Sequence, residues 1–415
     1  MPRTIVAAAI QTAAHSRTSF AGAWPRIAER IETAAADGAN LVVLPEGTLP
    51  AYVLGYERYE EAEIEAALAA CREAARRLGI VIVAGAARRD ADRVFNSAIA
   101  IDRDGSIAGT ADKHFLWHFD RQWFAPGERI APIPTSIGKL GALVCADGRI
   151  PTIARALVEA GAELLVMPTA WVTSGRDPQH FENAQADLLA RVRAKENGVP
   201  FIAANKCGVE MHCVAYCGKS QIVAADGTLL ALAPEDREQT ISAALQIDAR
   251  RIRRTGDFGY TFANAPSAPQ RIAITAAAPR ERNDDLLRIL EADVLVDAQS
   301  PAVGDEVVLD PNGLVSLRLF EPAPPPVVWR TSYDAEWQVL FARARALELR
   351  IYLIVVDTAH GRAYAVDPDG AIVCGTFGEY EVASFTFDPA KTRQTAVAPG
   401  TDVLEGLRRA QQHAR

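Results

Sequence analysis

Short apolar runs alternate with Ala/Arg/Glu-rich amphipathic stretches along most of this chain, and that rhythm limits the fold more than any other feature. Arg3–Ile10 reads as a strand, Ala23–Asp37 as an amphipathic helix, and Leu41–Leu44 as a short buried strand closing on Pro45-Glu46. A helix over Ala62–Leu78 and a strand over Val81–Ala86 follow. Asn96–Ile101 and Ser106–Thr110 form a hairpin about the turn Asp102–Gly105. Lys139–Cys145 reads as a strand, Thr152–Ala160 as a helix, Leu164–Met167 as a strand and Phe181–Glu196 as a long helix. Phe201–Ala204 and Gln221–Ala225 are strands, the second turning at Asp226-Gly227 into Thr228–Ala233. The pattern specifies an α/β protein.

The rhythm restarts near residue 265. Arg271–Ala277 echoes Thr4–Ile10, and Ala292–Ser300 lines up with Ala39–Gly47. Arg343–Val356 lines up with Arg191–Ala204, and Tyr364–Thr376, turning at Asp369-Gly370, echoes the Ile222–Leu232 hairpin. One long period suggests an old duplication rather than an array of short repeats. The second copy is short. Between Gln299 and Arg343 lie about forty residues where the first copy has well over a hundred, and Pro-rich Glu321–Pro326 sits in that gap. The expected division is a domain over 1–262 and a truncated, non-catalytic repeat over 263–415.

Of the 415 residues, 49% are hydrophobic, enough for ample core, and the net charge of −8 argues against a nucleic-acid partner. Thr4–Ile10 is too short and weakly flanked for a signal peptide, and no apolar run reaches the length of a membrane span. Six cysteines in so long a chain do not look like a disulfide framework, which points to a reducing cytoplasm. Cys207, Cys213 and Cys217, with His212 between them, lack the CxxC spacing of zinc sites and read as a loop between strands. No metal and no cofactor are expected.

Chemistry concentrates at three strand ends in the first half, which deliver Glu46, Lys113 and Cys145. Side chains leave α/β sheets into a crevice at such ends. A cysteine in an apolar run is often plain core. Cys145, however, closes a strand just before the helix that starts at Pro151, an elbow near helix N–H groups. A thiol with an ordinary pKa near 8.5 needs a base at neutral pH, and a carboxylate serves if burial raises its pKa. An ammonium nearby offsets thiolate charge and stabilises an oxyanion. A Cys–His pairing with His114 or His118 is the weaker alternative, because papain-type context around the cysteine is missing.

Leu41-Val42-Val43-Leu44-Pro45-Glu46, Lys113 with Leu116-Trp117, and Cys145-Ala146-Asp147-Gly148-Arg149-Ile150-Pro151 resemble, in order, the three signatures of the nitrilase superfamily of carbon–nitrogen hydrolases. Phe124–Gly127, Met167–Trp171, Arg191–Asn205 and Gly218–Gly227 resemble its supporting segments, so the likeness covers roughly residues 3–255. The resemblance implies a four-layer α-β-β-α sandwich, with the second copy a smaller truncated α/β domain of the same type. It implies Glu46 as general base, Cys145 as nucleophile and Lys113 as oxyanion stabiliser, helped by the Ala146 amide.

The chain departs from the family pattern at Asp120, where many members carry a glutamate that positions the lysine. The shorter side chain implies a backbone shift or a bridging water, with Glu128 a lesser substitute. Ala146 stands where an aromatic is usual, which enlarges the pocket. Cys145-Ala146-Asp147 is closer to amide-cleaving than to nitrile-cleaving relatives. Tyr52, Trp171 and Arg176 are substrate-binding candidates from the pocket loops, Arg176 as the group that a carbamoyl amino acid would need. The expected function is hydrolysis of a small amide to acid and ammonia. A nitrilase, an N-carbamoyl amino acid hydrolase, and an impaired scaffold of the same fold are the alternatives. The expected partner is a small-molecule amide, with no nucleic acid and no membrane, in a homo-oligomer or an intrachain pseudo-dimer.

Overall fold

The computed structural model describes residues 3–53, 59–177, 179–248, 267–276, 283–298, 306–307, 326–357, 359–376 and 381–414. The chain divides into two compact units, Met1–Arg253 with Gly406–Arg415, and Arg254–Glu405. The expected boundary at 262/263 lies outside the described residues, as does Gln299.

The first unit runs β1 (Arg3–Ala13), α1 (Phe20–Ala36), β2 (Leu41–Val43), α2 (Glu61–Leu78), β3 (Val81–Asp90), β4 (Arg93–Ile101), β5 (Ile107–Asp112), β6 (Ile133–Thr135) and β7 (Gly138–Ala142). It continues through α3 (Pro151–Glu159), β8 (Leu164–Pro168), α4 (Ala190–Asn197), β9 (Phe201–Ala204), β10 (Lys206–Glu210), β11 (Val214–Cys217), β12 (Gln221–Val223), β13 (Leu229–Leu232) and β14 (Gln239–Ile247). Eight strands form one sheet in the order β11-β10-β1-β2-β3-β4-β5, with β14 also paired to β1; the other sheet runs β13-β12-β9-β8-β7-β6.

Period and burial explain this layout. Ala23, Ile27, Ile31 and Ala34 recur at helical spacing and bury one face of α1; Ile64, Ala67, Leu68, Cys71, Ala74 and Ala75 do the same for α2. These faces pack on Ala8, Ile10, Val42, Ile82, Ala84, Ile99 and Ile101 of the eight-stranded sheet. Their alternates Ala7, Ala9, Leu41, Val43, Val81, Val83, Ala98 and Ala100 point to the opposite face and are equally buried, so the sheet is covered on both sides. β1 and β2 approach β8 and β9 of the six-stranded sheet, and α3 and α4 pack on that sheet.

Three local readings need correction. The strand expected to reach Cys145 stops at Ala142, and Cys145–Arg149 is a 3-10 turn. The helix expected from Phe181 becomes regular only at Ala190, after a π turn over Gln185–Leu189. The Asn183 side chain accepts from the Gln185 amide (2.8 Å), a local bond that competes with helix. The cysteine-containing segment is itself a hairpin, with Cys207 opposite Cys217.

The second unit holds β15 (Gln270–Thr275), α5 (Asn283–Ile289), β16 (Val294–Val296), β17 (Glu306–Val307), β18 (Val327–Thr331), α6 (Ala335–Leu349), β19 (Leu353–Asp357), β20 (Arg362–Val366), β21 (Ile372–Gly375) and β22 (Val382–Phe387). Its sheets run β16-β15-β22 and β17-β18-β19-β20-β21. β15 pairs parallel with β16 and antiparallel with β22, as β1 does with β2 and β14. β18 and β19 are parallel and β20 and β21 return antiparallel, the same order as β8, β9, β12 and β13.

Candidate active site

Leu44 still joins the sheet, its N–H donating to the Val83 carbonyl (2.8 Å). Pro45 cannot donate and Gly47 takes φ +54°, so the chain turns out of the sheet at Glu46. β3 allows this by carrying Gly85 beneath the turn: a Cβ there would lie 2.4 Å from the Glu46 Cα and from the Pro45 carbonyl oxygen. Lys113 follows β5, held by its N–H to Asn96 O and by the Gly127 N–H to its own carbonyl (both 2.8 Å). Cys145 sits at φ +46°, a left-handed conformation that costs a non-glycine residue about 1–3 kcal/mol and recurs at functional sites.

These segments bring Glu46, Lys113 and Asp120 into one cluster with side chains fully buried. The Lys113 Nζ lies 2.7 Å from Glu46 Oε1 and 2.6 Å from Asp120 Oδ2. The short side chain of Asp120 therefore reaches the lysine directly. The 3-10 turn His118–Gln122 carries it inward, and its Oδ2 also accepts the Trp117 N–H (2.8 Å). Glu128 instead pairs with Arg93 at the surface (3.0 Å). One buried carboxylate couples the lysine and cysteine segments: Asp147 Oδ1 accepts from the amides of His114 (3.0 Å) and Phe115 (2.8 Å), and its Oδ2 from Val144 (3.0 Å).

The electrostatics suit a proton relay. Burial raises the Glu46 carboxyl above its ordinary range; Lys113 opposes this and Asp120 reinforces it. Lys113 is buried too, yet Asp120 and Glu46 hold its ammonium well above the usual lysine value. Burial and the Glu46 charge push the Cys145 thiol far up, with Lys113 opposing them. At neutral pH the sulfur keeps its proton until a base takes it; Glu46, whose charge acts on the thiol and whose Oε2 makes no hydrogen bond among the described residues, is available for that role.

The remaining sequence candidates separate. Tyr52 is buried and donates its hydroxyl to Asp120 Oδ1 (2.7 Å). Ala146 is buried in the nucleophile turn, and Trp171 is buried after β8, its N–H bonded to Asn205 Oδ1 (2.7 Å). Arg176 is exposed. His114 turns its Nε2 to the Arg129 carbonyl (3.0 Å). The sequence reading missed Asn96, which donates to Glu46 Oε1 (2.6 Å) from within β4. A buried asparagine in a mostly apolar strand is the signal that marks it. It also missed Gln185, whose amide, oriented to satisfy both neighbours, donates to the Cys145 carbonyl (2.8 Å) and accepts from the Trp171 indole (3.2 Å).

A strained cysteine, a carboxyl raised by burial and an ammonium locked between two carboxylates are the equipment of a thiol-dependent hydrolase. The carbon–nitrogen hydrolase family profile matches residues 6–254. A hydrolase of Pseudomonas protegens is 36% identical over 53% of this chain and 77% of its own length. A nitrilase of Pyrococcus abyssi is 30% identical over 56% and 86%. The crystal structure of an amidase from Nesterenkonia sp. superposes with a TM-score of 0.53 at 26% identity, covering 60% of this chain and 93% of that one. The chain belongs to the carbon–nitrogen hydrolase family.

Proposed function

We propose that this enzyme hydrolyses a small amide to its acid and ammonia through a thioester on Cys145. The observation that carries this is the fully buried Glu46–Lys113–Asp120 cluster at the thiol. Glu46 takes the thiol proton as Sγ bonds to the carbonyl carbon. Lys113 and the Ala146 N–H then stabilise the oxyanion. As the C–N bond breaks, Glu46 returns the proton to the leaving nitrogen and ammonia departs. Glu46 next deprotonates a water that attacks the thioester, and the proton passes to the departing sulfur. Asp120 and Tyr52 keep Lys113 in line, and Trp171 walls the acyl side beside the small Ala146. The exposure of Arg176 gives no support to a carbamoyl amino acid as substrate.

The layers α1/α2, eight-stranded sheet, six-stranded sheet and α3/α4 fit a four-layer α-β-β-α sandwich. The shared strand order and pairing support reading residues 263–415 as a truncated, non-catalytic second copy. No described helix is long and apolar enough to cross a membrane. A cytoplasmic enzyme taking a small-molecule amide, as a homo-oligomer or an intrachain pseudo-dimer, is the setting proposed.

The test is ammonia release from a panel of amides and nitriles. Activity on a primary amide that disappears in Cys145→Ala and persists in Cys71→Ala supports the reading. A fully active Cys145→Ala overturns it, and turnover of nitriles alone replaces amide by nitrile as the substrate.

A further inference from the structure

A second buried ion pair lies behind the first. Lys206 Nζ and Glu210 Oε2 are 2.9 Å apart with both side chains fully buried, and the Tyr216 hydroxyl donates to the same oxygen (2.7 Å). These groups sit on the β10–β11 hairpin, and the chemistry described above does not use them. Two ionised groups removed from water are seldom worth their desolvation for stability alone, so what they hold matters.

They hold the segment that follows Glu46. Glu210 Oε1 accepts the Val53 N–H (2.8 Å), and Lys206 Nζ reaches the Gly47 carbonyl (3.5 Å), so the pair grips both ends of residues 47–53. Tyr52 lies inside that span. The Lys206 ammonium stands 5.6 Å from the centroid of its ring and the Lys113 ammonium 5.7 Å. The hydroxyl of the same ring ends on Asp120. Tyr52 thus touches both ion clusters.

We propose that Lys206 and Glu210 are positioning residues for the hydrolytic reaction: by clamping residues 47–53 they fix Tyr52, and through its hydroxyl they fix Asp120 and the Lys113 ammonium. The proposal rests on the assignment of Lys113 and Cys145 made above. Removing both charges together, in Lys206→Met/Glu210→Leu, avoids leaving either one buried alone. That variant loses about 10–100-fold in kcat with KM changed less than threefold, because a displacement of about 1 Å at a catalytic group is enough for such a loss. Lys206→Arg, which keeps the pair, recovers most of it.

The deciding experiment is a cycle with Tyr52→Phe, read by kcat and by the pH dependence of iodoacetamide inactivation at Cys145. If the clamp acts through Tyr52, each variant moves the inactivation profile to higher pH, since Lys113 no longer favours the thiolate. The combined variant then falls no further than the worse of its parents. Losses that multiply overturn the proposal, as does an inactivation profile that stays in place while only the melting temperature drops. Should Lys206→Met/Glu210→Leu fail to fold, Glu210→Gln with and without Tyr52→Phe carries the same cycle. Alkylation needs no substrate, so an amide panel without activity would refute the amidase reading while leaving this test intact.

Discussion

The two units repeat several strand pairings and some single hydrogen bonds. Arg191 Nε donates to the Gly227 carbonyl in the first (3.0 Å), and Arg343 Nε donates to the Gly370 carbonyl in the second (2.8 Å). Arg193 pairs with Glu196 inside α4, and Arg345 with Glu348 inside α6, all four buried. Both helices end on a left-handed residue, Gly198 at φ +62° and Arg350 at φ +56°. Even the irregularity in the hairpin recurs, between Ile222 and Val223 and between Ala365 and Val366. The units differ in what joins the strands. From Val43 to Leu164 the first carries β3–β7, the lysine loop, the Asp120 turn and the cysteine turn; the second passes from Val296 to Val327 with only β17 among its described residues. Matching strand pairings therefore do not bring such side chains together; the longer connections of the first unit do, by carrying Lys113, Asp120 and Cys145 to the same end of its sheets.

The comparison breaks most sharply at the thiols. Cys145→Ala is expected to lower turnover by about 10⁴-fold or more, as loss of a covalent nucleophile does, whereas Cys374→Ala on β21 leaves turnover within twofold. Ammonia-release kinetics check both; equal losses would erase the distinction between the units.

Next in size are the paired arginines. Arg193→Met and Arg345→Met each remove the arginine from a buried glutamate, a change that costs about 3–5 kcal/mol. Arg193 also donates to the Gly148 carbonyl in the nucleophile turn (2.9 Å). Denaturation should thus show a stability loss in both variants. Only Arg193→Met should lose kcat as well, by roughly tenfold, through displacement of the cysteine turn.

The smallest effect concerns two buried carboxylates at strand ends. Glu46 is raised by burial. Asp357 is also buried, but hydrogen bonds from the His360 backbone and ring outweigh that cost and hold it below its ordinary range. The raised Glu46 binds a proton more tightly folded than unfolded, so its ionisation costs stability as pH rises through the raised value. The depressed Asp357 stabilises above the ordinary aspartate pKa, and that contribution disappears as pH falls through the lowered value. The acid limb of kcat should consequently lie above the ordinary glutamate pKa, because catalysis needs Glu46 ionised. Asp357→Asn should leave that limb in place while flattening the loss of stability at low pH. A kcat that holds level down to the ordinary glutamate pKa would contradict the environment described for Glu46.

Much of this was legible in the residues themselves. Apolar runs bounded by proline, glycine and charge located most strands, and helical spacing located α1, α2 and α3. Edges were harder: β3 runs on to Asp90 through half-buried Arg88 and exposed Arg89 because β4 pairs with it, which no local pattern announces. The start of α4 was misread because the helical rhythm from Phe181 loses locally to the Asn183 side chain. Glu46, Lys113 and Cys145 stood out by their places at strand ends. Asn96, Gln185, Lys206 and Glu210 did not, since each is an ordinary residue that gains its place through a remote segment, as Asn96 does at Glu46 and Glu210 at Val53.

By itself the sequence determined the α/β rhythm, its restart after residue 265, and three residues able to run thiol chemistry. It could do so because periodicity and turn residues act over a few neighbours. Only the tertiary structure decided that Asp120 touches Lys113 directly, that Asp147 couples the lysine and cysteine segments, and that Tyr52 spans two buried ion pairs. Those outcomes depend on how far backbones from separate elements carry short side chains. Hydrogen bonds and ion pairs change over fractions of an ångström, a scale that residue order alone does not encode.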